Sequence, residues 1–322
     1  MNTSTRRELR VRERRANGAQ RQVVSRYSPL MPQPDLFHVD VFATAPLTGN
    51  GLAVFLNTER WSTLAMQRLT QEMRQFESIF LSAISPAGAR ARVFTVEEEL
   101  PFAGHPVLGA ASVLHRIQAP AEESRFWELQ LPHGKIGVRT RKLGVSHLCE
   151  MNQGRAVVGS TVSLAGLQPI LSRLSLEDAD LIGGIDAQVI STGLPYLIVP
   201  VGRPALANAK IIGADLEVQL QAFAAKFVLL LAVEDREMRT WDNLGRVEDV
   251  ATGSAAGPAA AYLWNLGLAG GAGSIELAQG RYAGRPSKIT VVRDQQQRIL
   301  VSGEVWPVSH GFLEVDQTAM TA

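Results

Sequence analysis

Apolar and polar residues alternate from Phe37 to Phe42, with His38 and Asp40 on the polar beat, so residues 37–42 are predicted to form a half-buried strand. The turn-forming Thr48-Gly49-Asn50-Gly51 then leads into the apolar run 52–56. Over residues 62–76 the period changes. Ser62 opens that segment as a cap-forming residue, and Leu64, Leu69 and Met73 recur at near-helical spacing, which predicts a helix. Residues 77–81 and 90–95 read as strands, and 106–115 as a helix rich in alanine and leucine. Farther along, 227–233 is the densest apolar stretch and stops at Glu234-Asp235. That length suits a buried strand, whereas a membrane span needs ~18–20 residues. Strands and helices alternate, so the expected class is α/β or mixed α+β.

The most informative feature is an internal repeat. Residues 103–115 can be laid on residues 252–264 at a constant offset. Each copy is a small-Gly-polar turn (Ala103-Gly104-His105 and Thr252-Gly253-Ser254) opening a helix lined with small residues. Acidic residues precede both, Glu97-Glu98-Glu99 in the first and Glu248-Asp249 in the second. A repeat spanning about half the folded length predicts two similar domains facing each other, not a solenoid.

Composition narrows the function classes. The chain has 322 residues, 46% hydrophobic and 20% charged, enough for about two domains on a prior of roughly 150 residues each. The formal charge of +1 hides an asymmetry: residues 1–34 hold eight arginines against Glu8 and Glu13, which leaves a mildly acidic body. That body has no electrostatic footprint for nucleic acid, and no membrane partner is expected. Residues 1–35, poor in apolar side chains, are expected to be a disordered basic tail. The single cysteine, Cys149, excludes a disulfide framework, a thiolate zinc site and any two-thiol mechanism. It agrees with a reducing compartment, and a cytoplasmic location is expected.

The repeated turns carry the candidate chemistry. A helix start leaves backbone N–H groups without partners and concentrates partial positive charge, and glycine lets a ligand come close. Gly104-His105 and Gly253-Ser254 are therefore two candidate cradles for a carboxylate. The plain structural alternative is that Thr252 and Ser254 cap their helix and the glycines only make tight turns; two equivalent copies argue for a shared pocket. No phosphate loop, zinc helix or nucleophile elbow is present, and the six histidines show no metal-ligand spacing, so neither a metal nor an organic cofactor is expected.

Several motifs together resemble the phenazine-biosynthesis PhzF-like isomerase family. The specific ones are Glu99-Leu100-Pro101-Phe102-Ala103-Gly104-His105-Pro106 and Glu248-Asp249-Val250-Ala251-Thr252-Gly253-Ser254-Ala255. Weaker matches are 37–42, Gly49-Asn50, Phe76-Glu77-Ser78, Ser191-Thr192-Gly193-Leu194-Pro195 and Gly284-Arg285-Pro286-Ser287. The chain departs from the pattern at Gly51, where the family has proline, and at Arg74-Gln75-Phe76, which replaces Asn-x-Ser before the glutamate. The resemblance implies an α+β, diaminopimelate-epimerase-like fold of two strand-rich barrels, each around a central helix, with the active site in the cleft between them. The expected boundaries are 36–148 and 149–300, with a strand in 301–322 returning to the first domain. It further implies cofactor-independent proton transfer on a small amino-carboxylate. Glu77 would be the catalytic acid/base, while His105, Gly104, Asp249, Gly253 and Ser254 would bind substrate. A small carboxylated substrate and a homodimer are the expected partners.

Overall fold

The structure is a computed structural model, which describes residues 35–213, 215–268, 273–315 and 320–321. The arginine-rich segment before residue 35 lies outside them. In chain order the strands of the first half are β1 (Leu36–Val41), β2 (Asn50–Phe55), β3 (Glu77–Ser85), β4 (Gly88–Thr95), β5 (Glu99–Leu100), β6 (Ser124–Leu131), β7 (Gly134–Leu143) and β8 (Ser146–Asn152). Those that follow are β9 (Val157–Val162), β10 (Ala187–Ser191), β11 (Pro195–Val201), β12 (Phe227–Ala232), β13 (Glu237–Arg239), β14 (Ser274–Gln279), β15 (Ser287–Arg293) and β16 (Ile299–Gly311). The α-helices are α1 (Thr63–Met73), α2 (Gly104–Gln118), α3 (Leu164–Arg173), α4 (Arg203–Asn208), α5 (Leu216–Gln221) and α6 (Gly253–Asn265).

All strands join one continuous sheet, ordered β1-β2-β3-β4-β6-β7-β8-β16-β15-β14-β13-β12-β11-β10-β9, with β5 on β4. Strand β16 is shared. It pairs with β8 and also with β1, which closes eight strands into a barrel, and it pairs with β15, which starts the rest of the sheet. Helix α2 runs inside the barrel against all eight strands. Its glycine, alanine and serine residues permit that close packing: a Cβ on Gly109 would come within 2.3 Å of Leu52 Cδ2. Helix α6 takes the corresponding place in the second half, against β10, β11, β12, β14, β15 and β16. That half does not close. Among the described residues β9 pairs only with β10, so the expected second barrel is an open sheet curved around α6.

Outer helices explain the fully apolar strands. Helix α1, Trp61 and the outward residues Phe55, Phe80 and Phe94 form one outer core. Helices α3 to α5 cover Leu197, Val199 and Val201 of β11 with Val228 and Leu230 of β12. Strands β2 and β12 are thus covered on both faces, which produces continuous apolar runs instead of alternation. Helix α1 is capped by Ser62, whose side chain accepts from Ala65 N, but it ends at Met73 with Arg74 in the left-handed region, three residues short of the predicted end. Phe76 therefore belongs to the turn into β3, and Glu77 opens that strand. The departures at Gly51 and Gln75 meet in space: a Cβ at Gly51 would sit 2.3 Å from Gln75 Oε1, so a larger residue at 51 requires the Gln75 side chain to turn away. Among the described residues, no helix is long and apolar enough to cross a membrane.

Candidate active site

The repeated turns meet. A Cβ on Gly104 would lie 3.2 Å from Ser254 N, and one on Gly253 would lie 3.6 Å from His105 N. The N-termini of α2 and α6 therefore face each other across the smallest possible residues. Neither helix is capped by a side chain, although Ala103 and Thr252 stand at the N-cap positions. Thr252 Oγ1 is used elsewhere, donating to Asp249 Oδ2 at 2.5 Å. The capping alternative thus does not describe either turn. Two uncapped helix starts leave N–H groups and two partial positive charges converging on one place.

A cavity of about 400 Å³ opens over these turns and is lined by Glu77, Gly104, His105, Asp249, Gly253 and Ser254 among others. The structure brings all six expected site residues together. Glu77, first residue of β3, is 6% exposed, and its Oε2 lies 3.2 Å from His105 Nδ1. Burial and the nearby Asp249 charge hold the Glu77 carboxyl well above its ordinary range. Burial alone pushes the His105 imidazole down to about 3, so the ring is neutral. The contact is accordingly a hydrogen bond, not an ion pair of two full charges. His105 Nε2 is buried and has no protein partner, so this nitrogen is left for a ligand.

Asp249 is tied down on several sides. Its Oδ1 accepts from Asn50 Nδ2 at 2.7 Å and from Ala251 N at 3.3 Å, and its carboxyl is raised chiefly by burial. Asn50 also donates to Ala251 O at 3.1 Å and reaches within 3.4 Å of His105 Nδ1. Gln279 closes the network, donating to Asp249 O at 2.7 Å and accepting from Thr252 N at 2.9 Å. The loop carrying Asn50 is fixed from the other half by Arg285, which donates to Gly49 O at 2.8 Å and to Asp40 Oδ1 at 2.7 Å. Asn50 and Gln279 belong to the hydrogen-bonded network around Asp249, and the motifs did not select them. Asn50 stood in a short, unspecific motif, and Gln279 in none.

The acidic residues before each turn have structural work. Glu99 pairs with Arg92 and Glu248 with Arg239, each at 2.6 Å, while Glu97 reaches Arg246 at 3.4 Å. Cys149 is buried in β8, outside both turns, and burial pushes its thiol up.

Over residues 39–311 the chain matches the family described as phenazine biosynthesis-like protein. It is 32% identical over 274 residues to trans-2,3-dihydro-3-hydroxyanthranilate isomerase of Pseudomonas chlororaphis, covering 82% of this chain and 94% of that protein. A solved structure of a predicted epimerase from Pseudomonas aeruginosa superposes with a TM-score of 0.83 at 45% identity, covering 88% of this chain and all of that one. A probable proline racemase from Agrobacterium radiobacter shares the fold at 12% identity, with a TM-score of 0.59 and coverage of 88% and 94%. The chain belongs to the phenazine biosynthesis-like family and is an isomerase.

Proposed function

We propose that the chain is a cofactor-independent isomerase that moves a proton between carbons of a small amino-carboxylate of the dihydro-hydroxyanthranilate type. The observation that carries this reading is Glu77: a buried carboxyl, held well above its ordinary range, lining a cavity onto which two helix N-termini open. A carboxyl raised in this way is a stronger base than a free one and can return the proton it takes, which is what a single-residue shuttle requires. The helix starts at Gly104 and Gly253, with His105 and Ser254, bind the substrate carboxylate and hydroxyl. Asp249, whose Oδ2 has one lone pair left beyond Thr252, takes the substrate amino group. The active site lies in the cleft between two similar domains built around α2 and α6.

Glu77 in its ionised form removes a proton from one carbon. The electron pair left behind is delocalised toward the carboxylate, where the N–H groups of the two turns meet the growing charge. The protonated Glu77 then delivers its proton to a second carbon, and the double bond has moved. Neutral His105 keeps the shuttle from being neutralised by a fixed cation.

The test is turnover of trans-2,3-dihydro-3-hydroxyanthranilate followed by NMR in deuterated water, with and without chelator. The expected result is a shifted double bond, an unchanged rate with chelator, and at the receiving carbon either deuterium or the substrate's own hydrogen shielded by Glu77. Inversion of an amino-acid α-carbon without double-bond movement would favour a racemase instead. Loss of turnover on chelation would overturn the cofactor-independent mechanism.

A further inference from the structure

One polar side chain of the cavity, Tyr196, has no part in the scheme above. Tyr196, second residue of β11, is 3% exposed, lines the cavity, and places its hydroxyl 2.8 Å from Ser254 Oγ. Leu197, Val199 and Val201 of the same strand enter the outer core, so Tyr196 points from the opposite face toward α6. Its ring is fixed independently by stacking on Phe227, with centroids 5.4 Å apart.

The placement has a counterpart in the first half. His105 and Ser254 occupy equivalent positions in the repeat, and each meets a polar side chain of a neighbouring strand: Glu77 lies 3.2 Å from His105, with Asn50 at 3.4 Å, and Tyr196 lies 2.8 Å from Ser254. Glu77 opens β3 and pairs in register with Leu52 of the parallel neighbour β2. In the second half the same parallel arrangement pairs Tyr196 of β11 with Phe227 of β12. The residue at the repeat offset from Glu77 is Lys226, which is exposed. At the position equivalent to Glu77 the second half thus carries no carboxylate, and a phenol from the adjacent strand reaches the turn.

We propose that Tyr196 is a positioning residue for the isomerisation, orienting the Ser254 hydroxyl so that its proton faces the substrate carboxylate. This rests on the reading of Ser254 as a carboxylate ligand. The phenol is the more acidic of the two hydroxyls and donates to Ser254 Oγ; Ser254 then has its own O–H free to donate outward. When Glu77 removes the carbon-bound proton, the electron pair moves toward the carboxylate, and the chain Tyr196 to Ser254 to carboxylate oxygen strengthens against the growing charge. No bond to Tyr196 is broken. The phenol keeps its proton throughout, in line with burial, which chiefly disfavours its ionised form, and with the Asp249 and Glu77 charges, which act in the same direction. Glu77 returns the proton at the second carbon.

The test is a double-mutant cycle with Tyr196→Phe and Ser254→Ala, using trans-2,3-dihydro-3-hydroxyanthranilate for kinetics and 2-aminobenzoate as a binding probe that needs no turnover. Tyr196→Phe keeps the stack on Phe227, so its melting temperature checks folding. Removing a donor aimed at developing charge costs about 10²–10³-fold in kcat. Ser254→Ala should reach the lower part of that range, and Tyr196→Phe, acting through Ser254, about tenfold with KM within about twofold. The double variant should match Ser254→Ala alone. For 2-aminobenzoate, Tyr196→Phe should raise Kd about three- to tenfold, again with no further loss in the double variant. Parameters for Tyr196→Phe within twofold of wild type, or losses that multiply in the double variant, would overturn the proposal and leave the isomerase reading standing. Wild-type protein that neither turns over the substrate nor binds 2-aminobenzoate would overturn both.

Discussion

Asn50→Ala probes what holds the site together. The Asn50 amide is 2% exposed and spends both N–H groups on the opposite turn, on Asp249 Oδ1 at 2.7 Å and Ala251 O at 3.1 Å. Removing it takes away a hydrogen bond to a carboxylate, worth about 1.5–3 kcal/mol, and orphans a buried carbonyl, which costs about 1–3 kcal/mol. Because Asp249 lines the cavity, water can replace part of the loss, so about 3 kcal/mol of destabilisation is expected. For a body of this size that is a fall in Tm of roughly 5 °C. Urea unfolding at pH 7, with wild type and Asn50→Ala side by side, measures it. Asn50→Asp keeps the shape but sets two carboxylates against each other, so it should take up a proton and lose further stability as pH rises. A loss below about 1 kcal/mol for Asn50→Ala would refute the claim that this amide ties the two turns together.

Two other predictions concern titration and access. Glu77 and Asp249 are both raised in the folded chain by burial, so the folded state binds protons that the unfolded state releases, and their contribution is lost as pH rises from the ordinary carboxylate range through the folded values. Replacing one of them by Glu77→Gln should therefore widen the Tm advantage of the variant over wild type between pH 5 and pH 8; a narrowing gap would contradict the assignment. Cys149 is buried with its thiol pushed up, so iodoacetamide should leave both the native protein and its activity unchanged, reacting only after unfolding in urea, as read by mass spectrometry.

Much of the site could be read from residues because its parts are local. Gly104-His105 and Gly253-Ser254 announce two helix starts, and their constant spacing places them in equivalent positions, so their convergence follows from the repeat. Glu77 was reachable only through the resemblance, since one carboxylate after a helix has many ordinary explanations. Asn50, Tyr196 and Gln279 were harder for a physical reason. Their roles are defined by partners 199, 58 and 30 residues away, and no spacing rule encodes such contacts. The open second sheet escaped for a similar reason: β16 closes the first half by pairing with β1, and nothing in a strand's own pattern reveals how many neighbours it will have.

If one carboxyl moves the proton, as proposed, Glu77→Gln is the decisive variant, because the amide keeps the shape yet cannot accept a proton. The measurement is turnover of trans-2,3-dihydro-3-hydroxyanthranilate by NMR in deuterated water, alongside calorimetric binding of 2-aminobenzoate. A general base contributes about 10²–10⁴-fold, and a residue acting as both base and acid should stand at or beyond the upper end. Probe affinity within about threefold of wild type is expected, with turnover reduced by at least about 10⁴-fold. Turnover by Glu77→Gln within threefold of wild type would contradict the single-carboxyl shuttle.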